Sequence, residues 1–254
     1  MRREERRLGV GLLGVGAIGV VGAVLLPVAL YQFGLWLAPP RPIPQSANAP
    51  QVLLDALWAR ADGGRATALT PVTPVSVAQF AVCMAIEDFR DTTPGDARRA
   101  AACREYLPAI QGVAYLSGVH MRDANLQPSF REGLGRFSTT VWLTQSWTKA
   151  EFLDTLAERG EFGFGFRGVE AAARGYFGRA AAQLTLPQAA LIGAFIGDPG
   201  TDPWCGPEAA TGMRNRILKA MRENGTIDEP SHRAASAAPL ELFPPPGNRP
   251  ACTK

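Results

Sequence analysis

The sequence predicts an all-α protein. Three S/T-x-x-E/Q capping boxes, Ser76 to Gln79, Thr148 to Glu151 and Thr185 to Gln188, mark helix starts. Apolar residues behind them recur at helical spacing, and no stretch shows the period of two that a half-buried strand needs. With 254 residues, 46% of them hydrophobic, the chain has material for one globular domain once an apolar N-terminal segment is set aside.

From Leu8 through Pro40 there is no Asp, Glu, Lys or Arg. Leu8 to Leu30 would reach about 34 Å as a helix, enough to cross the hydrocarbon. Arg2, Arg3, Arg6 and Arg7 precede the stretch and Tyr31, Phe33 and Trp36 follow it. That order matches a cytoplasmic positive flank and an interfacial aromatic belt on the far side. Residues 1–38 are therefore expected to be a basic flank and one transmembrane helix, in an inner membrane, with the N-terminus cytoplasmic and the body outside. A cleaved signal peptide is the competing reading, since Ala47, Asn48 and Ala49 imitate a cleavage site, but the apolar run is too long and Pro50 follows. Gly9, Gly11 and Gly14 spell a G-x-G-x-x-G, yet Asp55 is the first acid after them, so no dinucleotide site is expected.

Residues 39–75, with Pro39, Pro40, Pro42 and Pro44, form a stiff connector with room for a short helix. Residues 76–229 are the expected helical domain. In its first helix Val77, Phe80, Ala81 and Met84 share a face, and Phe152, Leu153 and Leu156 do so in the helix after Thr148. A Gly-and-aromatic loop, Gly160 to Gly168, precedes an alanine-rich helix over Val169 to Tyr176. Leu186 to Ile196 is apolar nearly all round and reads as the buried central helix. Glu208 to Asn224 is amphipathic and closed by Gly225. The Pro/Ala-rich tail, residues 230–254, is expected to be loosely structured.

The formal charge of +3 is small and the arginines are scattered, so charge does not argue for nucleic-acid binding and no nucleic-acid partner is expected. Cys83, Cys103, Cys205 and Cys252 all follow the apolar stretch, where an oxidising compartment permits disulfides, and four cysteines allow three connectivities. A Cys205 to Cys252 pair is the one we single out. There is no C-x-x-C, and His120 and His232 are isolated, which gives a structural zinc site no support.

Several blocks resemble the peptidoglycan glycosyltransferase domain of class A penicillin-binding proteins and of small monofunctional relatives. Lys149, Phe152, Leu153 and Gly163 fit K-x-x-I-L-x-x-Y-L-N-x-x-x-x-G, with Leu156 and Glu158 at the Tyr and Asn positions. Gly168 to Arg179 is similar to G-I-x-A-A-x-x-Y-F-G-K, Leu184 to Leu191 to L-T-L-x-E-A-A-L, and Arg214 to Met221 to R-N-x-V-L-x-x-M. Ala85, Ile86, Glu87 and Asp88 resemble the start of E-D-x-x-F-x-x-H-x-G, but Asp91, Pro94 and Asp96 stand at its aromatic, His and Gly positions. No G-G-S-T-x-x-Q-Q occurs between Ala100 and Arg136, and Arg136 falls where the second catalytic glutamate of R-K-x-x-E belongs.

The resemblance implies a lysozyme-like helical glycosyltransferase domain that polymerises a lipid-linked disaccharide-peptide precursor. A sugar hydroxyl attacks the anomeric carbon of the growing chain and expels a prenyl pyrophosphate. Such chemistry needs a carboxylate to take the proton and positive charge to stabilise the leaving group. Glu87 is the implied catalytic base; Asp88, Arg136, Lys149 and Arg214 are the implied substrate-binding residues, with Arg136 facing pyrophosphate through its forked donors. No cofactor is required, a divalent metal ion on the pyrophosphate being the option the chemistry leaves open. Implied partners are the precursor, the nascent glycan strand, the membrane and proteins of the cell-wall synthesis machinery. The eroded motifs also leave open a catalytically inactive binding or scaffolding module.

Overall fold

The computed structural model describes residues 22, 25–61, 64–90, 110–198, 200–245 and 252. The basic flank, the apolar stretch before Leu25 except Gly22, and the departures from the first motif at 91–96 lie outside them. Ten α-helices are described: α1 (25–37), α2 (Gln51–Arg60), α3 (Pro74–Arg90), α4 (Ile110–Asp123), α5 (Phe130–Ser146), α6 (Lys149–Arg159), α7 (Val169–Phe177), α8 (Leu186–Phe195), α9 (Pro207–Asn224) and α10 (Glu229–Ala237). Among the described residues no strand forms; Glu161 and Arg167 make an isolated antiparallel bridge.

The capping boxes start two helices as expected. Thr148 N donates to Glu151 Oε2 at 2.7 Å while Glu151 N donates to Thr148 Oγ1 at 3.2 Å. Thr185 N donates to Gln188 Oε1 at 3.1 Å. The third box is displaced: α3 begins at Pro74, and Thr73 and Ser76 exchange N–H to hydroxyl bonds at 3.0 Å each. Proline is pre-shaped for the first helical position and has no N–H to leave unpaired, so the start falls two residues before Ser76.

α8 is the central helix, with Gln188 to Phe195 all buried, and it packs against α2 and α9. Leu53 and Leu57 of α2, Phe152 and Leu156 of α6, and Leu191 and Phe195 of α8 share one core. The core therefore extends into the connector, because α2 carries five buried residues. Its apolar side chains are spread nearly all round, which hides its membership of a core from a face-by-face reading.

Residues 230–245 of the tail are ordered, against expectation. α10 is capped by Asp228, whose side chain accepts from Ser231 N at 2.9 Å, and beyond it Leu240 and Leu242 pack on the main core. Cys205 and Cys252 form a disulfide, and Cys83 is disulfide-bonded as well.

α1 rests directly on α5. A β-carbon on Gly34 would fall 2.1 Å from Ser138 Oγ and 2.8 Å from Leu134 O, so only glycine permits this approach. Arg131 Nε donates to Leu37 O at 3.1 Å. Tyr31 is buried beside Val72 and Val141, which removes it from the expected aromatic belt, whereas Phe33 and Trp36 are exposed and stacked. No helix of the described residues is long and apolar enough to cross a membrane.

Candidate active site

The loop from Gly160 to Gly168 is a rigid frame. Phe162 N donates to Phe166 O, Phe166 N to Gly163 O, and Gly168 N to Gly160 O, each at 2.9 Å. Gly168 adopts φ +79° with its β-position 2.9 Å from Glu158 O, a conformation and a gap that suit glycine. Below the loop lies Tyr176, fully buried, its hydroxyl donating to Phe162 O at 2.7 Å. Burial pushes that phenol far above its ordinary range, so it stays a donor. Phe164, Phe166, Phe195 and Trp204 surround its ring.

This frame forms one wall of a cavity of about 550 Å³, whose lining includes Tyr115, Arg122, Glu161, Phe164, Arg167 and Asp198. α4 supplies the opposite wall. Tyr115 accepts from Glu161 N at 2.9 Å and donates to Glu161 O at 3.3 Å, pinning the loop to α4. Arg122 Nη2 lies 3.2 Å from Glu161 Oε2. At the end of α4, Asp123 Oδ2 accepts from both Arg159 and Arg167. Burial alone would raise the Asp123 carboxyl, but hydrogen bonds and charge from the two arginines outweigh it and hold the group below its ordinary 3.8.

Of the residues implied by the sequence, Arg136 is brought towards this wall. Its Cδ lies 3.6 Å and Arg122 Nη1 lies 3.7 Å from the position a β-carbon would take on Gly118. Arg136 is half exposed and pairs with Glu132 at 3.5 Å. Glu87 and Asp88 occupy the last turn of α3; their side chains lie outside what is described.

Lys149 and Arg214 sit elsewhere. Lys149 Nζ lies over the Trp58 ring and donates to Ala66 O at 3.3 Å, bracing α6 on α2. Arg214 is only 1% exposed. Its Nη1 donates to Ala238 O at 2.6 Å, its Nη2 to Ser236 O at 2.7 Å and its Nε to Asn215 Oδ1 at 3.0 Å. Expected at the substrate, Arg214 ties α9 to the end of α10, and its guanidinium, enclosed by the protein, presents no open face to a sugar or phosphate.

The carboxylates near the cavity do not fit a divalent ion. Asp123 is taken by two arginines, Glu161 by Arg122, and Asp198 Oδ1 by the N–H groups of Gly200 and Thr201. Among the described residues no group of three or more His, Cys, Asp or Glu is placed to hold a metal. Sequence reasoning missed Tyr115, Arg122, Asp123, Glu161 and Arg167 because each reads as an ordinary surface residue until α4 and the loop are brought together.

This is an all-helical domain with an arginine-lined cavity beneath a glycine-rich loop. Residues 121–222 match the family model described as Transglycosylase. The biosynthetic peptidoglycan transglycosylase of Rhodospirillum centenum is 29% identical over 220 residues, covering 82% of this chain and 88% of that protein. Penicillin-binding protein 1A of Aquifex aeolicus is 32% identical over 122 residues, and that of Mycobacterium tuberculosis 36% over 104. The matches span 16% and 12% of those two longer proteins. The chain is similar to transglycosylases, and the part matched by the family model runs from the end of α4 to the end of α9.

Proposed function

We propose that the chain is a peptidoglycan glycosyltransferase that polymerises a lipid-linked disaccharide-peptide precursor into glycan strands. The observation that carries this reading is the pair Arg122 and Arg167 lining one cavity, with Arg136 reaching the same Gly118 position as Arg122, in a transglycosylase-like domain. A sugar hydroxyl oxygen bonds to the anomeric carbon of the donor as the bond from that carbon to the pyrophosphate oxygen breaks. The electron pair leaves with the pyrophosphate, where the guanidinium groups stabilise the developing charge. Glu87, in the last turn of α3, takes the hydroxyl proton, and Asp88 beside it orients the acceptor sugar.

The same reading places the domain outside the cytoplasm on a single inner-membrane anchor, with the precursor, the growing strand and other cell-wall synthesis proteins within reach. It is supported by the arginine flank, the uncharged stretch from Leu8 to Pro40, and the exposed apolar side chains of Leu25, Leu26, Val28, Leu30, Phe33 and Trp36 on α1.

A second reading, a non-catalytic binding module, is favoured by Arg136 at the position of a catalytic acid and by Leu156 and Glu158 in place of Tyr and Asn. Assay of chain formation from the purified lipid-linked precursor separates the two. The full chain is expected to form polymer and Glu87→Gln to lose it by two orders of magnitude or more, a general base being worth about 10²–10⁴ in rate. Wild-type protein that makes no polymer favours the binding module, whereas Glu87→Gln that polymerises as fast as wild type removes Glu87 from the role of base.

A further inference from the structure

Glu161 lines the cavity proposed to take the leaving group, yet it is an acid, and like charge disfavours phosphate. Its backbone cannot retreat: the N–H donates to Tyr115, and the carbonyl accepts from Gly197 N at 3.0 Å and from Tyr115. Its side chain can. The Arg122 and Glu161 side chains are 52% and 53% exposed, with a single contact of 3.2 Å, and an ion pair so open to water is weak. A pyrophosphate offers the same guanidinium more charge and more acceptor oxygens, in stronger, charge-assisted bonds. Arg167, also lining the cavity, keeps Asp123 as the partner of its Nη2.

Resting on the glycosyl-transfer reading, we infer that Glu161 is a built-in competitor for the pyrophosphate group. It holds Arg122 in the binding direction between turnovers and yields it when a pyrophosphate enters. The carboxylate then opposes tight retention of the released prenyl pyrophosphate, which would otherwise occupy the arginines after each transfer. The fixed loop limits the exchange to side-chain torsions of one residue, so no segment has to unfold or close.

Calorimetric titration of the full chain in detergent with inorganic pyrophosphate tests this without any polymerisation step, so a polymerase-inactive protein leaves the result readable. Glu161→Gln is expected to bind pyrophosphate about three- to fivefold more tightly, the size set by loss of one exposed ion pair. Glu161→Asp keeps the charge but shortens the reach to Arg122, and is expected to give most of the same gain. Arg122→Gln should weaken binding, and adding Glu161→Gln to it should restore nothing. Equal affinity in wild type and Glu161→Gln, a gain that persists without Arg122, or no binding in either protein overturns the inference. Unchanged helical circular dichroism in each variant keeps misfolding from imitating any of these results.

Discussion

The ammonium of Lys149 stands 4.2 Å from the centre of the Trp58 ring. Lys149 opens α6 and Trp58 is one of the buried residues of α2, so the contact joins two elements of the core. A cation over an indole face contributes about 0.5–2 kcal/mol, and Lys149→Met is expected to lower stability by that order in urea unfolding. Burial pulls the ammonium pKa below its ordinary 10.5, against a smaller upward pull from Asp55. In the interval between the lowered folded value and 10.5 the unfolded chain binds more protons, so stability from this group rises with pH there. The Met variant should lack that rise; a parallel pH profile in both proteins counts against the assignment.

Asp123 should show the same sign of linkage at the acid end of the scale. Its folded pKa lies below 3.8, so its contribution is fully present above the unfolded value and fades as pH falls through the lowered one. Asp123→Asn should cost about 1–2 kcal/mol at neutral pH, towards the low side because solvent reaches the cluster. The gap between wild type and variant, followed by denaturant midpoints from pH 7 to pH 2, should close in acid.

Arg214 is expected to matter for folding rather than for binding. Arg214→Ala strips two half-buried carbonyls of α10 and its extension of their donors, a loss of about 2–4 kcal/mol when the bonds are charge-assisted. Arg214→Lys should recover only part, since an ammonium cannot span both acceptors with one rigid fork. Thermal unfolding reads the loss. A variant with native stability and raised KM for the precursor would return Arg214 to the substrate.

Breaking the disulfide should loosen the tail. Cys205 and Cys252 are 47 residues apart in sequence, and closing a loop of that length stabilises by about 2–4 kcal/mol. The tail also supplies the carbonyl of Phe243, which accepts from Trp204 Nε1 at 2.8 Å. Cys252→Ser is expected to lower the unfolding midpoint and shift indole emission to the red.

Much of the α-helical frame was legible because local chemistry wrote it. Thr148 with Glu151, and Thr185 with Gln188, cap their own helices, and the apolar wrap of α8 reports its burial without reference to any other element. The tail was misread for the converse reason. α10 has one buried residue, Ala235, and its order comes from Arg214, 24 residues before Ala238, and from a disulfide. Glu87 could be proposed from a two-acid motif at a helix end, whereas Arg122, Glu161 and Asp123 gain meaning only through contacts 36 to 44 residues apart. The inward turn of Arg214 was not legible because a motif match gives the residue type and not the direction it faces.

The seat of Gly34 on α5 leaves no swivel between the first helix and the domain. The two turn as one piece, so whatever grips the forward half of that helix also sets the pose of the arginine-lined cavity. Adding one residue between 25 and 33 would spin the domain by about 100° relative to the first turn of α1, a change in aim made without touching the cavity.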